Sequence, residues 1–300
     1  MGCRFEITAI AEKEYQAEDA VYKGILEIKR IENLISEWDS TTQTSEINRN
    51  AGLKPVKVSK ELYDLIYRSK KVSELTNGAF DISFASMDKI WKFDGKEHTL
   101  PDSSIVKKAK DKINWKNIIL NAKDTSIFLF QKGMKIGFGA IGKGYAANKA
   151  KILMENLEGV KGGVVNASGD LIAWGLSNNP EGWRIQIADP KNIDGVLGWL
   201  NLNNMSIVTS GDYENYFTSN GVRYSHIINP ATGYPVTETK SVTVLCPDAE
   251  IADALATSVS VLGVEKGLEL VNKLNNVECM IVDKDDRIFY SKNLKLNYYK

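Results

Sequence analysis

The chain has 300 residues and balances 38 basic against 38 acidic side chains for a formal net charge of zero, so no basic field argues for nucleic acid and no acidic tail is present. Its length supports a core without staples, and its three widely spaced cysteines, Cys3, Cys246 and Cys279, include no C-x-x-C, which argues against a disulfide framework or a zinc site. The two histidines, His98 and His226, are isolated, which excludes a His-rich metal centre, and no apolar run reaches the roughly 20 residues of a membrane span.

Alternation over Phe5–Ala11 predicts a strand, and Ala20, Ile25, Ile28, Ile31 and Ile35 at helical spacing predict a helix over Ala17–Ile35. The polar stretch Ser36–Gly52 then reads as a loop with a single large aromatic, Trp38. Two roles stay open for it: a lid over core, or a platform for a flat heterocycle. Ser59 caps a second predicted helix that runs to Leu75. In TNGAFDIS, Gly78 stops that helix and Asp81 is placed to cap a following one carrying Met87, Ile90 and Trp91. A cap and a carboxylate beside a ligand are compatible roles for Asp81. Ile113–Ile136 alternates as two or three strands.

Lys135–Ala147, KIGFGAIGKGYAA, carries Gly137, Gly139, Gly142 and Gly144 ahead of helix-forming residues. Glycine tolerates positive φ and close backbone approach, so a strand feeding this turn into a helix N-terminus points amides at one spot and favours an anion. Two phosphate fingerprints overlap in it. The Walker pattern fails because Gly144 stands where a Ser or Thr should meet magnesium, and the dinucleotide pattern is weakened because Asp170 comes later than its acidic residue should. A plain tight turn remains a third reading.

A helix is expected over Tyr145–Leu157, strands at Trp183–Ala188, Leu197–Leu202 and Val242–Leu245, and a turn-rich run from Thr209 to Pro235. Long irregular runs in compact domains commonly carry function. His226 in that run is either a hydrogen-bonded structural residue or a catalytic one. In the helix expected over Ala249–Leu262, Asp253 and Thr257 lie at i and i+4 on one face, a hard-oxygen pair suited to Mg²⁺. The alternative is a surface Asp beside a Thr bonded to its own helix. Another helix, Lys266–Leu274, two strands and a tyrosine-rich tail close the chain.

MGCRFEI, SEWD with SEINRNAG, TNGAFDIS, GAIGKGYAAN, NASGDLIAWG, TSGDYENYF, HIINPATGYP and ADALATSVSVLG follow one another along the chain. In that order they resemble the FAD:protein FMN transferase family, also called the flavin transferase or ApbE family. The resemblance implies a single α+β domain over 1–300, with mixed sheets flanked by helices and a cleft between the glycine loop and the C-terminal helix. It also implies Mg²⁺-dependent transfer of the FMN half of FAD to a threonine of an acceptor protein, with release of AMP. The acceptor would be a subunit of a membrane redox complex.

Carried over motif by motif, the metal ligands would be the Ala140 carbonyl, Asp253 and Thr257. The FAD contacts would be Met1, Trp38, Ala79, Phe80, Asp81, Lys143, Asp212, His226 and Ile227. His226 is the candidate base, and Asp212 would orient it or the metal. The sequence departs from the family pattern at Trp38, where tyrosine is common, at Cys3 in place of a small Thr, and at Ser168 within a more usual Gly-Gly. Relatives carry an upstream export or lipoprotein signal, so a mature envelope-side protein is expected. Two alternatives share the site: an FAD pyrophosphatase giving FMN and AMP, and a flavin-binding protein without chemistry.

Overall fold

The architecture comes from a computed structural model that describes residues 2–87, 90–189, 192–211 and 215–298. Its main sheet has seven strands in the order β1 (Phe5–Ala11), β5 (Val160–Ala167), β6 (Asp170–Gly175), β9 (Met205–Gly211), β12 (Thr239–Cys246), β13 (Glu278–Asp283) and β14 (Ile288–Tyr290). Neighbouring strands in it pair antiparallel.

Residues alternate between the two faces of a strand, so the register assigns each core. Val165 pairs with Ile172, Val208 with Val244, and Val244 with Cys279, all on the face covered by helices. Those helices are α1 (Glu14–Ile35), α5 (Gly142–Glu155) and α6 (Ala249–Val271). The other face, with Ala173, Ile207, Leu245 and Met280, packs on Ile187, Leu200 and Leu202 of the hairpin formed by β7 (Trp183–Asp189) and β8 (Asn192–Leu202).

A second cluster joins α3 (Lys60–Leu75) to a three-stranded sheet of β2 (Val56–Lys57), β4 (Ser126–Leu129) and β3 (Ile118–Asn121). Ile141, Tyr145, Ala146 and Ala254 belong to the same cluster, so it continues into α5 and α6. Two carboxylates tie this part to the helices: Glu61 accepts from Arg30 and from the Tyr145 hydroxyl (2.8 Å), and Glu250 accepts from Arg68 at 2.8 and 3.0 Å. An aromatic group, in which Phe217 of β10 (Tyr216–Ser219) stacks on Tyr224 of β11 (Val222–Ser225) at 4.9 Å between ring centroids, packs beside α4 (Ser103–Lys110).

The α+β class holds, with helices flanking sheets, and several expected elements change. Ser36–Gly52 is no continuous loop: Thr42 caps α2 (Gln43–Arg49), and Thr44, Ser45 and Ile47 are buried. Asp81 caps a short 3₁₀ segment, Ile82–Met87, and Trp91 lies beyond its end. The helices expected at Ala249–Leu262 and Lys266–Leu274 meet at Gly263, whose φ of 75° breaks α6. Among the described residues, no helix is long and apolar enough to cross a membrane.

Candidate functional site

The segment 134–138 that leads into the glycine turn belongs to no strand or helix. Asn48, from α2, takes the place of a neighbouring strand: its amide accepts from Ile136 N–H at 2.8 Å and donates to the Ile136 carbonyl at 2.9 Å. Ser86 holds Lys135 in the same way, accepting from its N–H at 2.9 Å. The turn is thereby delivered to the start of α5 by side chains from SEINRNAG and from the segment after TNGAFDIS.

The glycines were expected for positive φ and for close backbone approach to an anion, and the structure removes the first reason, since none of the four has a positive φ. They are required for close approach, and mostly to protein. A Cβ on Gly144 would lie 2.0 Å from the Ala249 carbonyl oxygen, one on Gly142 2.7 Å from Ile35 Cδ1, and one on Gly137 2.3 Å from Glu37 Oε2. Gly139 is exposed, with only the Phe84 ring edge at 3.5 Å.

This approach brings α5 against α6. The Gly144 N–H donates to Asp253 Oδ2 at 3.0 Å. Asp253 is only 2 % exposed, and Thr257 follows it by one helical turn, half-buried. Ala140 sits in the turn itself, partly buried against the cluster that contains Ala254.

From the sheet side comes Asp170, which the reading of individual roles left out. Residues Ser168 and Gly169, both at positive φ, form a two-residue hairpin loop between β5 and β6. Asp170 is therefore the first residue of β6, paired with Val208 on the helix-facing side. It is fully buried, and Lys143 Nζ lies 3.0 Å from its Oδ2. Burial and the Asp253 charge push the Asp170 carboxyl well above the usual carboxylate range. Burial also raises Asp253, against the pull of Lys143 and the Gly144 amide. Burial alone would lower Lys143, but Asp170 and Asp253 outweigh it and hold the ammonium above its ordinary value.

Two cavities lie nearby, and Lys143 lines the first of them. One of about 540 Å³ is lined by Gly2, Glu37, Trp38, Phe138, Gly139 and Lys143. The other, about 820 Å³, is lined by residues including Phe84, Trp91, Phe93, Lys135 and His226. Glu37 and Trp38 line both, and Trp38 is 77 % exposed. Each has a size ordinary for a small-molecule site.

His226 faces the second cavity, its ring nearly perpendicular to that of Phe93. Its Nδ1 lies 3.2 Å from the Asn215 carbonyl oxygen. A carbonyl only accepts, so Nδ1 carries the proton and Nε2 keeps a lone pair. His226 is exposed toward the cavity, yet the protein packed around its ring pushes the imidazole below its usual pKa, against the Asn215 carbonyl and with a smaller push from the charge of Lys143. Ile227 is buried and its carbonyl accepts from Val236 N–H at 2.8 Å.

A family model described as the ApbE family matches residues 1–281. The chain belongs to the ApbE family. A relative from Klebsiella pneumoniae named FAD:protein FMN transferase is 31% identical over 289 residues, covering 95% of this chain and 89% of its own. One of the same name from Treponema pallidum is 30% identical over 276 residues, covering 87% and 76%. The ApbE protein of Thermotoga maritima superposes with a TM-score of 0.87 at 30% identity, over 97% of this chain and 94% of that one.

Of the expected contacts, Trp38 and Lys143 line the first cavity, Trp38 and His226 line the second, and Asp253 accepts from the N–H of Gly144, next to Lys143. Ala79, Phe80 and Asp81 are instead packed inside: Phe80 is 1 % exposed, and Asp81 accepts from Ser83 N–H, Ser83 O–H and Trp115 N–H at 2.8, 2.6 and 2.8 Å. Cavity contacts at this point come from Phe84 and Ala85 in the 3₁₀ segment that Asp81 caps. Met1 and Asp212 lie outside the described residues.

Proposed function

We propose that this chain is an FAD:protein FMN transferase that moves the FMN half of FAD to a threonine hydroxyl of an acceptor protein, with Mg²⁺ bound and AMP released. The observation that carries the reading is the meeting of Lys143, Asp170 and Asp253 beside the glycine turn, with Lys143 lining a cavity that shares Trp38 with a second one. Two linked cavities suit a dinucleotide whose two ring systems are joined by a diphosphate. The names of the Klebsiella and Treponema relatives point to the same substrate.

The residues present fit a hard cation. Both oxygens of the buried Asp170 lack a hydrogen-bond partner, and Asp253 and Thr257 offer a carboxylate and a hydroxyl on one face of α6. The Ala140 carbonyl, Asp253 and Thr257 would hold Mg²⁺, which supplies Lewis acidity and neutralises charge on the diphosphate. Lys143 offers an ammonium to the same diphosphate. Trp38 presents an exposed face for a ring to stack on.

In the reaction the threonine oxygen bonds to the FMN phosphorus, the bond from that phosphorus to the bridging oxygen breaks, and AMP leaves with that oxygen. The threonine proton goes to His226 Nε2, which the Asn215 carbonyl leaves unprotonated. Such a base accelerates proton removal by roughly 10² to 10⁴. The chain would act as a single domain, on the envelope side of the cell, on a subunit of a membrane redox complex.

Incubation with FAD, Mg²⁺ and an acceptor domain bearing a candidate threonine tests the proposal by mass spectrometry and flavin fluorescence. Covalent FMN on threonine supports it. Free FMN and AMP without labelled acceptor would identify a pyrophosphatase, and unchanged FAD a binding protein.

A further inference from the structure

Asp170 has no role in the transfer as written, yet its placement is costly. It is wholly buried, neither of its oxygens has a hydrogen-bond partner, and the hairpin turn directs it to the helix-facing side, where it meets Asp253. A buried carboxylate facing another is tolerated only if a positive charge or a proton compensates. The compensating group in contact is Lys143, whose Nζ is 3.0 Å from Asp170 Oδ2. Its ammonium sits at the end of a flexible stem against this carboxylate, an arrangement that a better-fitting cation can displace.

We infer that Lys143 is a resident counter-charge for the Asp170–Asp253 pair, held there by Asp170 until a divalent cation takes its place and frees the ammonium for the diphosphate. Asp170 is on this account a positioning residue for Lys143 and an anionic wall of the cation's seat. The inference rests on the cation reading proposed above. It makes cation and Lys143 competitors when no FAD is present and partners when FAD is bound. A purely structural Lys143–Asp170 ion pair produces no such competition.

Mn²⁺ binding to the intact protein without FAD, followed by electron paramagnetic resonance, tests this apart from catalysis. Lys143→Met is expected to tighten Mn²⁺ about tenfold, because a positive charge leaves a poorly solvated site. Asp170→Asn is expected to weaken Mn²⁺ about tenfold by removing a negative one. Circular dichroism reports whether each variant folds. If Lys143→Met does not fold, Lys143→Met combined with Asp170→Asn is compared with Asp170→Asn alone, and tighter binding in the pair is expected. Equal or weaker Mn²⁺ binding on loss of Lys143 overturns the inference and leaves the cation reading standing. No Mn²⁺ binding in any form overturns both.

Discussion

Gly144 and Asp253, 109 positions apart, meet through an amide-to-carboxylate hydrogen bond of 3.0 Å, and the absence of a side chain on Gly144 is what lets them meet. Gly144→Ala would drive a Cβ to 2.0 Å from the Ala249 carbonyl and 2.9 Å from Asp253 Cβ. Neither is the tip of a flexible chain, so α5 and α6 must separate. Overpacking of this kind costs about 1–3 kcal/mol or more, and a thermal melt should show Tm lower by about 5 °C. An unchanged melting curve would mean that the two helices do not approach this closely.

Asp253 brings a carboxylate oxygen to 3.0 Å from the Gly144 amide, so Asp253→Ala should abolish Mg²⁺-dependent flavin transfer. Mass spectrometry of the acceptor across a Mg²⁺ titration measures it. A fall of at least about 10² in rate is expected, the scale on which lost electrostatic stabilisation is felt. Full activity in the variant would remove Asp253 from the site.

His226 lies below its usual pKa of 6.5, pushed down by the surrounding protein and by Lys143. As a base it works unprotonated, so transfer should stay flat above pH 6.5 and fall only at lower pH. His226→Gln should lower the rate by roughly 10² to 10⁴. The same shift has a stability consequence. Between the depressed folded pKa and the unfolded value, the unfolded chain binds more protons, so stability falls as the solution is acidified through that window. Urea titrations at pH 5 and pH 8 should show a smaller difference in His226→Gln than in the unaltered protein.

Much of this was legible in the sequence because periodicity reports burial directly. Ala20, Ile28, Ile31 and Ile35 marked α1, Ser59 marked the start of α3, and Gly263 separated two helical runs that the chain breaks there. Helix α2 was hidden because its buried face is made of Thr44, Ser45 and Ile47, which carry little hydrophobic contrast. Its polar groups serve the site instead, with Asn48 bonding the Ile136 backbone. Asp170 was visible within NASGD, but its meeting with Lys143 depends on strand register and helix packing, which local spacing does not encode. Of the two reasons expected for the glycines, close approach holds, though mostly to protein, and positive φ does not; both leave the same residue in a sequence.

Trp38 should matter to binding and hardly at all to folding. Its side chain is 77 % exposed on the border of both cavities, so Trp38→Ala removes little buried area. Fluorescence titration should show FAD affinity weakened about tenfold, a loss near the upper end of what aromatic stacking supplies, with Tm within about 1 °C of the unaltered protein. Trp38→Tyr, which keeps a ring, should recover most of the affinity. A melting point that drops while FAD affinity holds would make Trp38 a lid over core.

Asp81 is expected to behave in the opposite way. Its Oδ1 accepts from the Ser83 amide and hydroxyl and its Oδ2 from the Trp115 amide, and the group is only 5 % exposed. Burial nevertheless holds its carboxyl above the usual value. Asp81→Asn turns one acceptor into a donor facing a backbone N–H, leaving buried groups unsatisfied at a cost of about 1–3 kcal/mol. Chemical denaturation should show that loss, while FAD affinity of the folded protein should change by less than about twofold, since the charge does not reach the cavities directly. An Asp81→Asn protein of undiminished stability that no longer binds FAD would make the carboxylate a ligand contact, and the cap secondary.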